Sequence, residues 1–278
     1  MTTTEDYNAS LDWRGARGES WCVHVDGLEA LLASINAPLV EALRLDAPHA
    51  VADIGCGGGG ASRAVIAAAR PGSTVHGFDV SEALVAAARQ RVPSVEFFVR
   101  DVATSDAPVL YDRLVSRFGV MFFADAPQAF SNLTRWLRPG GRLAFAVWGP
   151  IADNRWAGVV RDVVAERVEL PAPLPDAPGP FRYADVSALT ALLDGAGFES
   201  VHAEAWRGRL PLGATPATAA EFALGAFSSF AVLLNAAGEA VVAGARRALT
   251  EAFAQHVHDG GVALEARVHI VTAERPAG

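Results

Sequence analysis

The chain has 278 residues, 51% of them hydrophobic and 19% charged, and carries a formal net charge of −8. That length and apolar content suffice for one large α/β domain with an insertion, or one domain with a small cap, and exclude a disordered chain. The acidic balance, with no basic run longer than Arg246-Arg247, offers no positive groove for phosphates, so the expected partner is a small-molecule acceptor and not nucleic acid.

All 23 basic residues are arginine. Without lysine no Schiff base can form, and pyridoxal phosphate enzymes and P-loop kinases are excluded. Two cysteines, Cys22 and Cys56, are too few for a disulfide framework or a structural zinc site, and no metal site is expected. No uninterrupted apolar run reaches the roughly 18 residues that span a bilayer. The start, Met1 to Tyr7, lacks the basic and apolar segments of a secretory signal, which makes the cytoplasm the expected location.

Residues 1–12 are polar and are expected to fray, with Tyr7 and Trp13 available for packing. From Arg17 to Leu45 the spacing of Leu28, Leu31, Leu32, Ile35, Leu39 and Leu43 predicts helix, divided by Pro38. Strands are expected at 50–54, 74–78, 95–99, 111–116 and 142–148, alternating with helices at 61–69, 81–90 and 126–137; Ser81 is a candidate N-cap. The 168–183 stretch, with Pro171, Pro173, Pro175, Pro178 and Pro180, reads as loop. A helix at 186–196, a sixth strand at 200–207, helix over 217–258 and a seventh strand at 264–272 complete the chain. Strands separated by helices of about ten residues imply parallel pairing in a doubly wound α/β sheet. The expected division is an N-terminal helical cap (1–48) and a sheet domain (49–278) with a helical insertion at about 215–260. That insertion reads equally as a lid or as a structural or dimerising helix pair, so a homodimer stays open.

Gly55-Cys56-Gly57-Gly58-Gly59-Gly60 satisfies G-x-G-x-x-G, a pattern that by itself suggests a dinucleotide site. Asp79, at the end of the second strand, can accept both ribose hydroxyls of any adenosine. Asp53, two residues before the first glycine, separates the cofactors: a carboxylate there repels a pyrophosphate but attracts the sulfonium and α-ammonium of S-adenosylmethionine. Its alternative role is to cap the next helix. Asp101, after the third strand, can accept from an adenine amino group, with Val102 behind the ring. Cys56 reads as a small residue where backbone must approach a ligand, or as a nucleophile.

With Val51 to Gly60, Gly77-Phe-Asp-Val80, Val99-Arg-Asp-Val102, Leu114 to Phe123 and Leu137-Arg-Pro-Gly-Gly-Arg-Leu143, the stretch from Trp21 to Trp156 resembles the class I S-adenosylmethionine-dependent methyltransferases. The segment Ser116 to Phe123 is similar to the bacterial ubiquinone/menaquinone-type and natural-product branch. The resemblance implies a Rossmann-like seven-stranded sheet whose last strand is antiparallel. It also implies S-adenosylmethionine as cofactor, held by Trp21, Asp53, Gly55, Cys56, Gly57, Asp79, Val80, Asp101, Val102, Ser116 and Phe118.

Methyl transfer to O, N or C of a small apolar metabolite needs alignment above all, and for a phenol or enol also a base. His24, beside Trp21, is the candidate base, with a helix-surface histidine as its alternative. Arg117 can hold a carboxylate or enolate, or pair with Asp125. Trp148, Asn154 and Trp156, and the aromatics Phe181, Tyr183, Phe222, Phe227 and Phe230, can line an acceptor pocket or seal a core. A protein of this fold that uses the cofactor without methyl transfer, and a nicotinamide oxidoreductase, are the competing readings.

Overall fold

The computed structural model describes residues 12–172, 174 and 176–278; residues 1–11 of the frayed start expected at 1–12, with Tyr7, and the loop residues Pro173 and Pro175 lie outside the described residues. Helical leucine spacing opens the described chain: α1 (Ala16–Val23), α2 (Val25–Leu32), a 3-10 turn (Ala33–Ile35) and α3 (Asn36–Ala42). Leu28, Leu31, Leu32, Ile35, Leu39 and Leu43 form the buried stripe that the spacing predicts. The breaks fall at His24 and the 3-10 turn, and not at Pro38. Pro38 lies in the first turn of α3, where its missing N–H has no intrahelical acceptor to lose.

The alternation follows as β1 (Ala50–Ile54), α4 (Gly60–Ala68), β2 (Thr74–Asp79), α5 (Glu82–Arg91), β3 (Glu96–Val99), β4 (Tyr111–Arg117), α6 (Ala126–Trp136) and β5 (Leu137–Trp148). Then come α7 (Arg155–Ala165), α8 (Val186–Gly195), β6 (Glu199–Gly213), α9 (Pro216–Ala226), α10 (Ser228–Ala237), α11 (Glu239–Ala254), β7 (Val257–His258) and β8 (Gly261–Glu274). Ser81 caps α5, its hydroxyl accepting from Leu84 N at 3.3 Å.

The strand order is β3-β2-β1-β4-β5-β8-β6, with β7 paired to β8. β1 runs parallel to β2 and β4, and β4 to β5, whereas β8 is antiparallel to β5. This is the doubly wound, Rossmann-like α/β sheet with its last long strand reversed. An eighth strand joins the expected seven. Asp259 (φ 46°) and Gly260 (φ 85°) close a two-residue hairpin at the point where helix was expected to run through His258.

Two further differences have local causes. β5 starts at Leu137, paired with Tyr111, ahead of the Pro139-Gly140-Gly141 turn; the register then shifts, with Gly140 at φ 74°. α7 was not expected at all, although Trp156, Val159, Val160 and Val164 repeat at helical spacing and are buried.

The chain divides into two compact units. A sheet unit comprises Ser34–Pro150, Pro175–Trp206 and Arg267–Gly278; a helical unit comprises Met1–Ala33, Ile151–Leu174 and Arg207–Ala266. Two of the boundaries between these units fall inside β6 and β8. Among the described residues no single helix is long and apolar enough to cross a membrane. Pro216–Ala226 and Ser229–Ala237 reach that composition only together, and a 96° bend parts them.

Candidate functional site

In the sheet unit the strand order reverses between β1 and β4, and ligands of open α/β sheets sit beyond the carboxyl ends of the strands at such a point. The glycine turn lies there. Gly55 and Cys56 both donate their N–H to Phe78 O, at 2.8 and 3.0 Å, which ties the turn to β2. Gly55 has φ 67°, and a Cβ on it would stand 2.9 Å from Gly119 Cα, so this glycine is required both by conformation and by contact. Gly57 is different. Its φ is 52°, yet a Cβ there would meet nothing within 4 Å. The space beside Gly57 is therefore open, a cradle that lets backbone approach a ligand.

Asp79 faces this cradle. Its Oδ2 accepts from Gly57 N at 2.9 Å and its Oδ1 from Ser81 N at 2.9 Å. Burial raises its pKa, opposed by the backbone amides of Ser81, Gly57 and Val80. A carboxylate has about four acceptor positions, so the three amides still leave capacity for a hydroxyl donor. Val80 beside it is half-buried. Asp53 is fully buried and accepts from Ser62 Oγ of α4 at 2.6 Å, tying the end of β1 to the helix behind the turn. Asp101 accepts from Ala103 N at 3.0 Å, closing a turn just after β3. Cys56 is buried, its Sγ packed toward Gly77.

At the end of β4, Ser116 Oγ donates to Ile54 O at 2.7 Å and accepts from Gly119 N at 3.2 Å. This hydroxyl staples β4 to β1 beneath the turn. Phe118 holds φ 67°, an uncommon conformation for a bulky side chain and one that costs energy unless its surroundings impose it. Two contacts do so: its N–H donates to Ala146 O at 2.9 Å, and its ring stacks on Trp148 with centroids 4.0 Å apart and planes 9° apart. Arg117 donates to Asn36 Oδ1 at 2.8 Å, whereas Asp125, its alternative partner from sequence, caps α6 by accepting from Gln128 N.

The structure reveals three positioning residues that the sequence reading passed over. Asn132 Nδ2 donates to Val102 O at 2.8 Å and to Ser105 O at 2.7 Å, holding the Asp101–Val102 turn from α6. Gly119 leaves no room for a Cβ, which would lie 2.7 Å from Ile54 O. Gly77 accommodates the Phe97 ring, 2.3 Å from where its Cβ would stand. A buried Asn on the apolar face of α6 was the one sequence signal for the first of these.

Trp21 and His24 lie in the helical unit. Trp21 packs edge-on against Trp13, centroids 5.3 Å apart. The half-buried His24 sits at the junction of α1 and α2, with its ring against Gly225 of α9, and lines a pocket with Glu221, Phe222, Leu224, Val242 and Arg246. Trp148 stays in the sheet unit with Phe118, whereas Trp156 packs on Phe227 in the helical unit at 5.1 Å. The remaining aromatics divide in the same way: Phe181 and Tyr183 belong to the sheet unit, Phe222 and Phe230 to the helical unit. Among the described residues no group of three His, Cys, Asp or Glu side chains gathers as metal ligands would.

Residues 51–141 match the sequence family described as "Methyltransferase domain". Trans-aconitate 2-methyltransferase of Acidovorax sp. (strain JS42) is 34% identical over 114 residues, 41% of this chain and 41% of that protein. The chain thus spans about two fifths of that relative's length. Among solved structures, a protein described as a putative methyltransferase from Bacillus halodurans superposes with a TM-score of 0.55 at 16% identity, covering 87% of this chain and 99% of the other. The [4+2]-cyclase SpnF superposes with a TM-score of 0.51 at 20% identity, covering 88% and 82%. At these identities the structural likeness speaks for the fold.

Proposed function

We infer that this chain, whose residues 51–141 match the methyltransferase-domain family, is a class I S-adenosylmethionine-dependent methyltransferase that binds S-adenosylmethionine at the glycine turn and transfers its methyl group to a small molecule. The observation that carries the reading is Asp79, a buried carboxylate bonded to Gly57 N beside an open glycine cradle. Carboxylate and cradle together fit a ribose laid over the turn. The acidic surroundings, with Asp53 beneath, suit a cationic cofactor and oppose a pyrophosphate.

In this reading Asp79 accepts from the ribose hydroxyls. Gly55, Cys56 and Gly57 present backbone, and Asp101, Val80 and Val102 border the adenine. Asp53 acts through Ser62 and the turn, favouring the cofactor's positive charge from below. Ser116 positions the turn through Ile54 O and Gly119 N, and Phe118 with Trp148 supplies an apolar wall that excludes water. When bound, the cofactor supplies a methyl group on an activated leaving group, so the protein's task is orientation, worth up to about 7–11 kcal/mol in favourable cases. Arg117, steadied by Asn36, would hold the negative charge of a hydroxyl or enol acceptor.

The acceptor is proposed to be a small apolar metabolite methylated on O, N or C. The relatives named trans-aconitate 2-methyltransferase make an acidic acceptor the first to try. A second reading has a specific support: SpnF shares the fold and is named a cyclase, so the same scaffold serves chemistry other than methyl transfer. Calorimetry with S-adenosylmethionine, S-adenosylhomocysteine and NADH tests the first step: the two sulfur ligands are expected to bind and NADH not. Preferential NADH binding would overturn the reading. Transfer of label from a methyl-labelled cofactor to an acceptor separates methyltransferase from cyclase.

A further inference from the structure

The helical unit contains a pocket that the cofactor reading leaves unused. Its volume is about 470 Å³, within the roughly 300–1,000 Å³ of small-molecule sites. One side is His24, between α1 and α2; the other sides are α9, through Glu221, Phe222, Leu224 and Gly225, and α11, through Val242 and Arg246. Two glycines bring the helices together. A Cβ on Gly225 would lie 2.6 Å from the His24 ring, and one on Gly27 would lie 2.6 Å from the Phe222 ring. Each ring occupies the notch of the opposite glycine, which fixes both rings at the pocket.

The polar groups are unequally matched. Arg246 Nε contacts Glu221 Oε1 at 2.5 Å, and that pair orients the guanidinium while occupying one edge of it. Its terminal nitrogens, and both ring nitrogens of His24, have no hydrogen-bond partner among the described residues. One carboxylate therefore faces two donor groups over an apolar floor of Phe222, Leu224 and Val242. A guanidinium held in this way presents its free fork to a second carboxylate.

We propose that this open cleft, lined by residues of the helical unit alone, binds a small apolar acid, with its hydrocarbon body on Phe222, Leu224 and Val242 and its carboxylate on Arg246 and His24. Titration calorimetry of the full chain with decanoate, decanol and decylamine, each below its micelle concentration, is the test. Decanoate is expected to bind at least tenfold more tightly than decanol, and decylamine not at all. Arg246→Gln should weaken decanoate at least tenfold and leave decanol unchanged, whereas Val242→Trp should abolish both by filling the floor; circular dichroism reports that each variant is folded. Glu221→Gln removes the competing carboxylate and must tighten decanoate binding, a change of opposite sign that damage to the fold cannot mimic. Equal binding of decanoate and decanol, or indifference to Arg246→Gln and Glu221→Gln, would overturn the proposal. Its failure leaves the cofactor reading untouched, because S-adenosylhomocysteine binding is measured separately.

Discussion

Asp79→Asn separates a ligand-binding carboxylate from one that merely organises a loop. The two oxygens accept from Gly57 N and Ser81 N, both at 2.9 Å. Asparagine keeps the shape and one acceptor but turns an NH2 toward the other amide. A hydrogen bond to a charged group contributes about 1.5–3 kcal/mol, so the fold loses one such bond. It gains an offset of similar size, because the variant no longer buries a charge, the effect that raises the Asp79 pKa. The melting temperature should therefore move by only a few degrees. The ligand has no such offset: losing one charge-assisted bond to a ribose hydroxyl weakens S-adenosylhomocysteine by about 10- to 150-fold. Calorimetry beside thermal melting measures both. An affinity within about threefold of the parent, in a folded variant, would refute the assignment of Asp79 to the ribose.

The same carboxylate predicts a pH signature. Its folded pKa lies above its unfolded value, so the ligand-free fold gains stability from this group as pH falls through the folded pKa and loses it as pH rises. Ligand affinity moves the other way, since hydroxyls donate to the charged form. Melting curves with and without S-adenosylhomocysteine, taken from pH 7 downward, should converge above the ordinary carboxylate range of about 4.

Gly55→Ala and Gly57→Ala should behave differently. Both residues need φ > 0, at about 1–2 kcal/mol for alanine, but only Gly55 also meets backbone, so Gly55→Ala should be clearly less stable to urea. Gly57→Ala should keep most stability and lose ligand affinity, and equal stability losses would contradict this. For Phe118, the glycine variant should be more stable than the alanine variant by about 1 kcal/mol, because glycine alone accepts φ 67° without strain; denaturant melts with the reverse order would remove the strain argument. Arg113 donates to Leu43 O at 2.7 Å and to Arg44 O at 3.3 Å, closing the end of α3. Arg113→Met should cost about 1.5–3 kcal/mol in chemical denaturation, and Arg113→Lys should recover little, since a point ammonium cannot replace the fork.

Periodicity and turn chemistry made most of the sheet legible, because both are local. β1 lies where its apolar run and the following glycine place it, and Ser81 caps α5 as its position before that helix suggests. Two elements were overlooked although their signals are local: the buried stripe of α7 and the Asp259-Gly260 hairpin, each next to a stretch dominated by a different pattern. Pro38 misled for the opposite reason. Its effect depends on where within a helix it falls, and that depends on the break set ahead of it.

By itself the sequence determined the α/β alternation, the glycine turn and the three aspartates at successive strand ends. These follow from side-chain spacing and from glycine's freedom at positive φ. Only the tertiary structure decided what each polar group touches. Ser116 reaches Ile54 O across 62 residues, Asn132 steadies the turn after Asp101, and Asp53 turns to Ser62. His24, drawn from sequence as a base beside the cofactor, lies against Gly225 in a pocket of the helical unit. Hydrogen bonds and notches of this kind join segments far apart in the chain. Their partners are chosen by sheet order and helix packing, which no local pattern encodes.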